Sequence, residues 1–174
     1  MSVATGIAAA HERLGLVGSE ARARVLVDEL RRTPSKPSAR RLLREWFNLC
    51  DALEPWSDDL REQFERVGFV TDAKDRLELP ATVWRAAWSD NDVARALSWT
   101  ADVDTAERFA RYLTSHRAWW LGIKRDDAEP WIWKGECTEA YGYLTSRNED
   151  EVIAKTVVNI IPVAALRLVS HKED

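Results

Sequence analysis

The chain has 174 residues, 45% of them hydrophobic and 31% charged, which suits one globular domain with a real core and excludes a disordered chain. No apolar run approaches the roughly 18 residues of a membrane span, and Met1 to Gly18 lacks a charged start followed by an apolar stretch, so a cytoplasmic protein without a membrane partner is expected. The net charge of −4 conceals a basic segment, with eight Arg and Lys residues between Arg22 and Arg44 against only Asp28 and Glu29. Such a segment has three readings: the solvated face of surface helices, a contact for an acidic protein partner, or neutralisation of nucleic-acid phosphates.

The first third reads as helix. Ala4 to Leu16 is alanine-rich and is stopped by Gly15 and Gly18. Ser19 is the expected cap of a second helix, with Val25, Leu26 and Leu30 at helical spacing. Thr33 to Ser38 contains two prolines and breaks the chain, because proline removes a donor and restricts the residue before it. A third helix is expected from Ser38, with Leu42, Leu43, Trp46, Phe47 and Leu49 on one broad face and Pro55 ending it. Ser57 is the expected cap of a fourth, which carries Leu60, Phe64 and Val67 and stops at Gly68.

After Pro80 the pattern changes. Ala81 to Trp88 is rich in strand formers, Ser89 to Asp92 reads as a turn or helix cap, and Arg95 to Thr100 as a short strand. Asp104 and Glu107 have capping-box spacing ahead of a helix that turns Ala106, Phe109, Ala110 and Leu113 inward. Further strands are expected at Trp119 to Ile123, Trp131 to Cys137, Ala140 to Leu144, Glu151 to Lys155, Val157 to Ile161 and Ala164 to Val169. Strands around one main helix, without regular strand–helix alternation, predict an α+β fold in which N-terminal helices pack on a mainly antiparallel sheet. Residues 1–75 form the helical part and 76–174 the strand-rich part of what is expected to be one unit, with the boundary near Asp75 to Pro80.

The chemistry is sparse. There is no glycine-rich phosphate loop of either common type. His11, His116 and His171 are too scattered for a metal site, so no metal is expected, and His116 reads as a surface or cap histidine. Cys50 and Cys137 read as buried free thiols of a reducing compartment. Most of the nine tryptophans lie in the second half, where they supply core area, with the alternative that one stacks on a planar ligand. Glu149-Asp150-Glu151 precedes the apolar run Val152-Ile153-Ala154. On a strand, Glu149 and Glu151 would share a face roughly 7 Å apart. That is either a solvated strand entry or a site that needs carboxylates beside a developing cation, as glycosyl transfer does. Arg85 lies in the apolar strand Val83 to Trp88; it is either solvent-facing or offers its planar fork to a phosphate in a cleft.

In chain order, Arg85 on a first strand, Ser98-Trp99-Thr100 on a second leading into the helix with Ala106, Phe109 and Ala110, and then Glu149-Asp150-Glu151 resemble the arginine, S-T-S and E-x-E series of the ADP-ribosyltransferases. The resemblance covers Ala81 to Val169 and departs from the pattern at Trp99, the middle of S-T-S, where period two would turn the ring into the core. It implies an ADP-ribosyltransferase-like split sheet with NAD as cofactor. By that resemblance Arg85 would hold the NAD phosphates or ribose, Ser98 would bond near the nicotinamide ribose and orient the catalytic glutamate, and Thr100 would support the strand. Glu151 would be catalytic, and Glu149 would help activate the acceptor, a glutamate there going with arginine-directed transfer. Trp99, Phe109 or Trp88 would stack on nicotinamide or line its pocket, and Ala140 to Asn148, with Tyr141, Tyr143 and Arg147, would correspond to a short acceptor loop.

Three functions follow as expectations, the third being a nucleic-acid-directed protein that uses the basic helices. The first is an enzyme that transfers ADP-ribose to a macromolecular acceptor, a protein first of all, and releases nicotinamide, as toxin-type or phage-encoded effectors do. The second is a binding module with a degenerate site of the same fold, acting through a protein partner.

Overall fold

A computed structural model of the chain describes residues 3–51, 53–74, 77–115, 129–146 and 149–165. Four helices come first: α1 (Val3–Gly15), α2 (Ser19–Arg32), α3 (Lys36–Trp46) and α4 (Ser57–Val67), with one-turn 3-10 helices at Phe47–Leu49 and Glu54–Trp56 between the last two. Their buried residues recur every three or four positions, as in Leu26, Val27 and Leu30 of α2 and Leu60, Phe64 and Val67 of α4. The helix starts differ from those read in the sequence. Gly18, in an extended conformation, precedes α2 and makes no side-chain cap, while Ser19 donates to Asp51 Oδ2 at 2.5 Å. The α3 helix begins at Lys36 with Pro37 in its first turn, where a missing N–H removes no helical bond, and Ser38 is buried inside the helix. Ser57 is the first residue of α4 and donates back to the Leu53 carbonyl at 3.3 Å. Gly68 does terminate α4, at φ 77°, a conformation that costs a glycine nothing.

The strands are β1 (Val70–Thr71), β2 (Ala81–Ala87), β3 (Ser98–Thr100), β4 (Trp131–Leu144) and β5 (Glu151–Ala165), with the short helix α5 (Asp90–Ala94) and the main helix α6 (Val103–Leu113) on either side of β3. They form one sheet in the order β1-β4-β2-β3-β5, antiparallel except for β1 on β4, and β4 also pairs with β5, so four strands close on themselves. The mixed α+β architecture with a mostly antiparallel sheet is the one expected.

Four predicted segments and the start of the fifth, Ala164-Ala165, are in fact the two long strands of a hairpin. Between Trp131 and Ala165 the ladder shifts register at several points, among them Lys134/Glu136, Cys137/Glu139 and Ala140/Gly142. Each bulge resets the inside–outside alternation without ending the strand, so a broken period reads as a turn. Asn159 inside β5 has φ 54°, a left-handed residue of the kind asparagine tolerates. Asp102 caps α6, accepting from the backbone N–H of Asp104 at 3.2 Å and of Thr105 at 3.0 Å, so the cap lies two residues before the expected Asp104, and Thr105 rather than Glu107 bonds back to it. The predicted strand at Trp119 to Ile123, together with His116, Arg147, His171 and the stretch beyond Ala165, lies outside the described residues.

No seam separates helices from sheet. The helical core also contains Val70 of β1, and Leu97, Tyr141, Leu144 and Ile153 from the strand-rich part. A second cluster inside the sheet includes Val83, Ala87, Trp99, Cys137 and Val152, and a third joins Ala106 and Ala110 of α6 to Ile132. The basic segment is largely occupied within the fold. Arg22 donates to the carbonyls of Leu14, Val17 and Leu49, Arg40 to that of Val67, and Arg31, Arg32, Arg41 and Arg44 lie in ion pairs.

Candidate functional site

Strand β3 is the centre of the site. Its register sets Thr100 opposite Glu151, Trp99 opposite Val152 and Ser98 opposite Ile153. Alternation turns Ser98 and Thr100 to one side and Trp99 to the other. Ser98 donates its hydroxyl to Glu151 Oε1 at 2.5 Å, and its carbonyl accepts from Arg85 Nη1. One serine therefore links the guanidinium of β2 to the carboxylate of β5. Thr100 donates to the Glu149 carbonyl at 2.6 Å, and its Oγ1 accepts from the Asp102 N–H at 3.1 Å. It ties the strand end both to the acidic triplet and to the cap of α6.

The triplet is held from outside as well. Asp150 is left-handed, φ 44°, which ends the regular alternation before β5 begins at Glu151. Its Oδ1 accepts from the Tyr143 hydroxyl at 2.9 Å. Burial, and then the Asp150 carboxylate, push the Tyr143 phenol up to about 12, so it remains a donor at neutral pH. Glu151 is buried, at 7% exposure.

Arg85, Ser98, Thr100, Glu149 and Glu151 line one cavity of about 250 Å³, bounded by β2, β3, the start of β5, α6 and residues between Asn48 and Glu54. Arg85, Ser98, Trp99, Thr100, Phe109, Glu149 and Glu151, all singled out in the sequence, line it. The cavity lies just below the roughly 300–1,000 Å³ of ordinary ligand pockets. An adjoining cavity of about 630 Å³ shares Asp51, Phe109, Tyr112 and Glu149 with it and adds Arg108 and Thr105.

Several expected roles change with this geometry. The Trp99 ring is 2% exposed in the sheet core and donates to the Ala96 carbonyl at 3.3 Å, so it offers no open face for stacking. Phe109, expected to point inward, is 44% exposed on the cavity rim. Trp84, rather than Trp88, lines the cavity, with Lys134 Nζ 5.5 Å from its ring. Tyr141 and Tyr143 lie within β4 and not in an acceptor loop. Tyr141 is stacked on Phe64 in the helical core and donates to Glu65.

Sequence reasoning passed over Asp51, Glu54, Trp84 and Tyr112. Tyr112 was within reach, being three residues from Phe109 and so on the same helix face. Asp51 and Glu54 sit between helices with no periodicity to mark them. Glu54 Oε1 is 2.7 Å from Arg85 Nη2, so the arginine faces the cavity already paired. Among the described residues no group of His, Cys, Asp and Glu is arranged to hold a metal ion, and no helix is long and apolar enough to cross a membrane. Comparison of the chain with protein-family models, with curated proteins and with solved structures finds no match.

Proposed function

We propose that the protein is an NAD-dependent ADP-ribosyltransferase that modifies a macromolecular acceptor, a protein first of all. The observation carrying this reading is the Ser98–Glu151 hydrogen bond of 2.5 Å, set in a cavity that Arg85, Phe109 and Glu149 also line. In the reaction, the bond between the nicotinamide nitrogen and ribose C1′ breaks and nicotinamide leaves with the bonding electrons. The Glu151 carboxylate stabilises the cation developing on the ribose, and Ser98 keeps that carboxylate aimed. An acceptor nucleophile then bonds to C1′ and passes its proton to Glu149. The arginine fork suits the dinucleotide phosphates, and Phe109 and Trp84 supply aromatic walls. NAD exceeds the inner cavity, so the bound dinucleotide would extend into the adjoining one past Phe109 and Tyr112.

Incubation with labelled NAD and a cell lysate tests the reading directly. Label on a macromolecule together with free nicotinamide is expected. Glu151→Gln should lower nicotinamide release by about 10²–10³-fold, the scale of removing one preorganised electrostatic group, with the melting temperature unchanged. Unaltered release by that variant would remove Glu151 from the chemistry. The pairing of Arg85 with Glu54 favours a second reading, a binding module whose site does not turn NAD over. That module would show no NAD-dependent stabilisation, whereas a binder gains about 2.7 kcal/mol at a hundred times its dissociation constant.

A further inference from the structure

Arg85 sits in the middle of β2, and its side chain is 18% exposed. Its two ends are held differently. Nη1 donates to the Ser98 carbonyl, a backbone group locked in the sheet. Nη2 donates to Glu54, whose side chain is 51% exposed. Nε is buried and has no hydrogen-bond partner. Glu54 opens the one-turn 3-10 helix Glu54–Trp56, contributed by the helical part of the chain, and lines the same cavity. The end of the fork held by the exposed Glu54 is the one where an oxyanion could take that carboxylate's place, and Glu54 leaves the neighbouring Nε unsatisfied.

We propose that Glu54 is the resident counter-ion of an anion subsite at Arg85, standing where a phosphate group of the ligand binds and leaving when it arrives. The choice of a phosphate rests on the NAD reading above; the competition between Glu54 and an oxyanion does not. Arg85 is the fixed partner, because its strand and the Ser98 carbonyl hold it. Glu54 is the mobile one, because half its side chain is in solvent and exposed ion pairs hold weakly. Ligand affinity is therefore reduced by the fraction of molecules in which Glu54 occupies the site. The helical part thereby sets the threshold for anion entry, although Arg85 and Ser98 lie on strands.

The test titrates inorganic pyrophosphate, and separately NAD, into the full-length protein and its Glu54→Gln variant by calorimetry. Glutamine keeps the size and removes the charge, so pyrophosphate should bind the variant about tenfold more tightly. Glu54→Ala should do the same. Arg85→Lys, which keeps a charge but loses the fork, should abolish the gain when combined with Glu54→Gln. Equal or weaker binding by both Glu54 variants, with melting temperatures matching the parent, overturns the proposal; so does failure of pyrophosphate to bind any of them. Tighter pyrophosphate binding without NAD cleavage would leave the subsite standing and sink the transferase. Cleavage of NAD with no effect of Glu54→Gln would do the reverse.

Discussion

Ser98 shows how much one small side chain can organise. Its hydroxyl serves the β5 carboxylate and its carbonyl serves the β2 guanidinium. Ser98→Ala removes only the first of these. On the proposed mechanism kcat should fall about tenfold, the equivalent of roughly 1.4 kcal/mol and of one hydrogen bond to a charged group, while KM for NAD changes little. A matching rise in KM would mean that Ser98 binds substrate and does not aim Glu151. Glu29 makes a separate point about charge. It is 2% exposed and held by Arg13 at 2.6 and 2.7 Å and by Arg32 at 3.0 Å. The Arg13 hydrogen bonds, set against burial, lower its carboxyl below the ordinary glutamate range. A depressed folded-state value means that the unfolded chain takes up a proton first as pH drops. The contribution is complete above the ordinary glutamate value of about 4.3 and is lost as pH falls through the lower folded value. Melting curves from pH 7 to pH 3 should thus steepen for the parent relative to Glu29→Gln, and parallel curves would contradict that. At this scale the sequence singled out side chains that line one cavity, because Arg85, Ser98 and Glu151 carry their chemical character with them. It could not say that Glu54 would meet Arg85, since those residues are 31 positions apart and no local pattern joins them.

Elements are stabilised by details the residue pattern placed only approximately. Asp102 accepts from two backbone N–H groups of α6 and, at 2.6 Å, from the Thr105 hydroxyl. The Thr105 hydroxyl, against burial, pulls the Asp102 carboxyl down, so it is the charged form that caps the helix. Asp102→Ala should lower the urea denaturation midpoint, because two backbone N–H groups of α6 lose their acceptor. Because α6 carries Phe109, Tyr112 and Leu113 to the cavity, the same variant should weaken NAD binding. Gly142 answers to a different constraint. Paired with Val70 on one side and Ile153 on the other, it lies so close that a Cβ would fall onto the Val70 carbonyl oxygen. Gly142→Ala should lose about 1–3 kcal/mol as β1 is pushed off β4; a melting temperature equal to the parent's would show that β1 contributes nothing. The helices were legible because their apolar period is long and clean. The long hairpin was not, since its bulges interrupt the period of two that marks a strand. Helix starts also shifted, because Ser19 bonds to the distant Asp51 and Ser57 to the Leu53 carbonyl just before it, neither to its own first turn.

On the scale of the molecule, helices and sheet share a core. Phe64 of α4 stacks on Tyr141 of β4 at 5.6 Å, and Leu97, Leu144 and Ile153 sit in the helical cluster. Residues 76–174 expressed alone should therefore fail to fold cooperatively, and the whole chain should melt in one transition by both far-ultraviolet and tryptophan signals. Two separated transitions would mean that the shared cluster is not cooperative. By itself, the sequence determined the α+β class, the terminating glycine at Gly68 and the order in which the arginine, serine and glutamate occur. Each of these rests on local periodicity, on a backbone preference or on the chemical character of a single side chain. Only the tertiary structure decided that Trp84 and not Trp88 lines the cavity, that the segments between Trp131 and Ala165 join into two long strands, and that Glu54 pairs with Arg85. Those outcomes depend on contacts between distant parts of the chain, whose energies exist only once both partners are brought together.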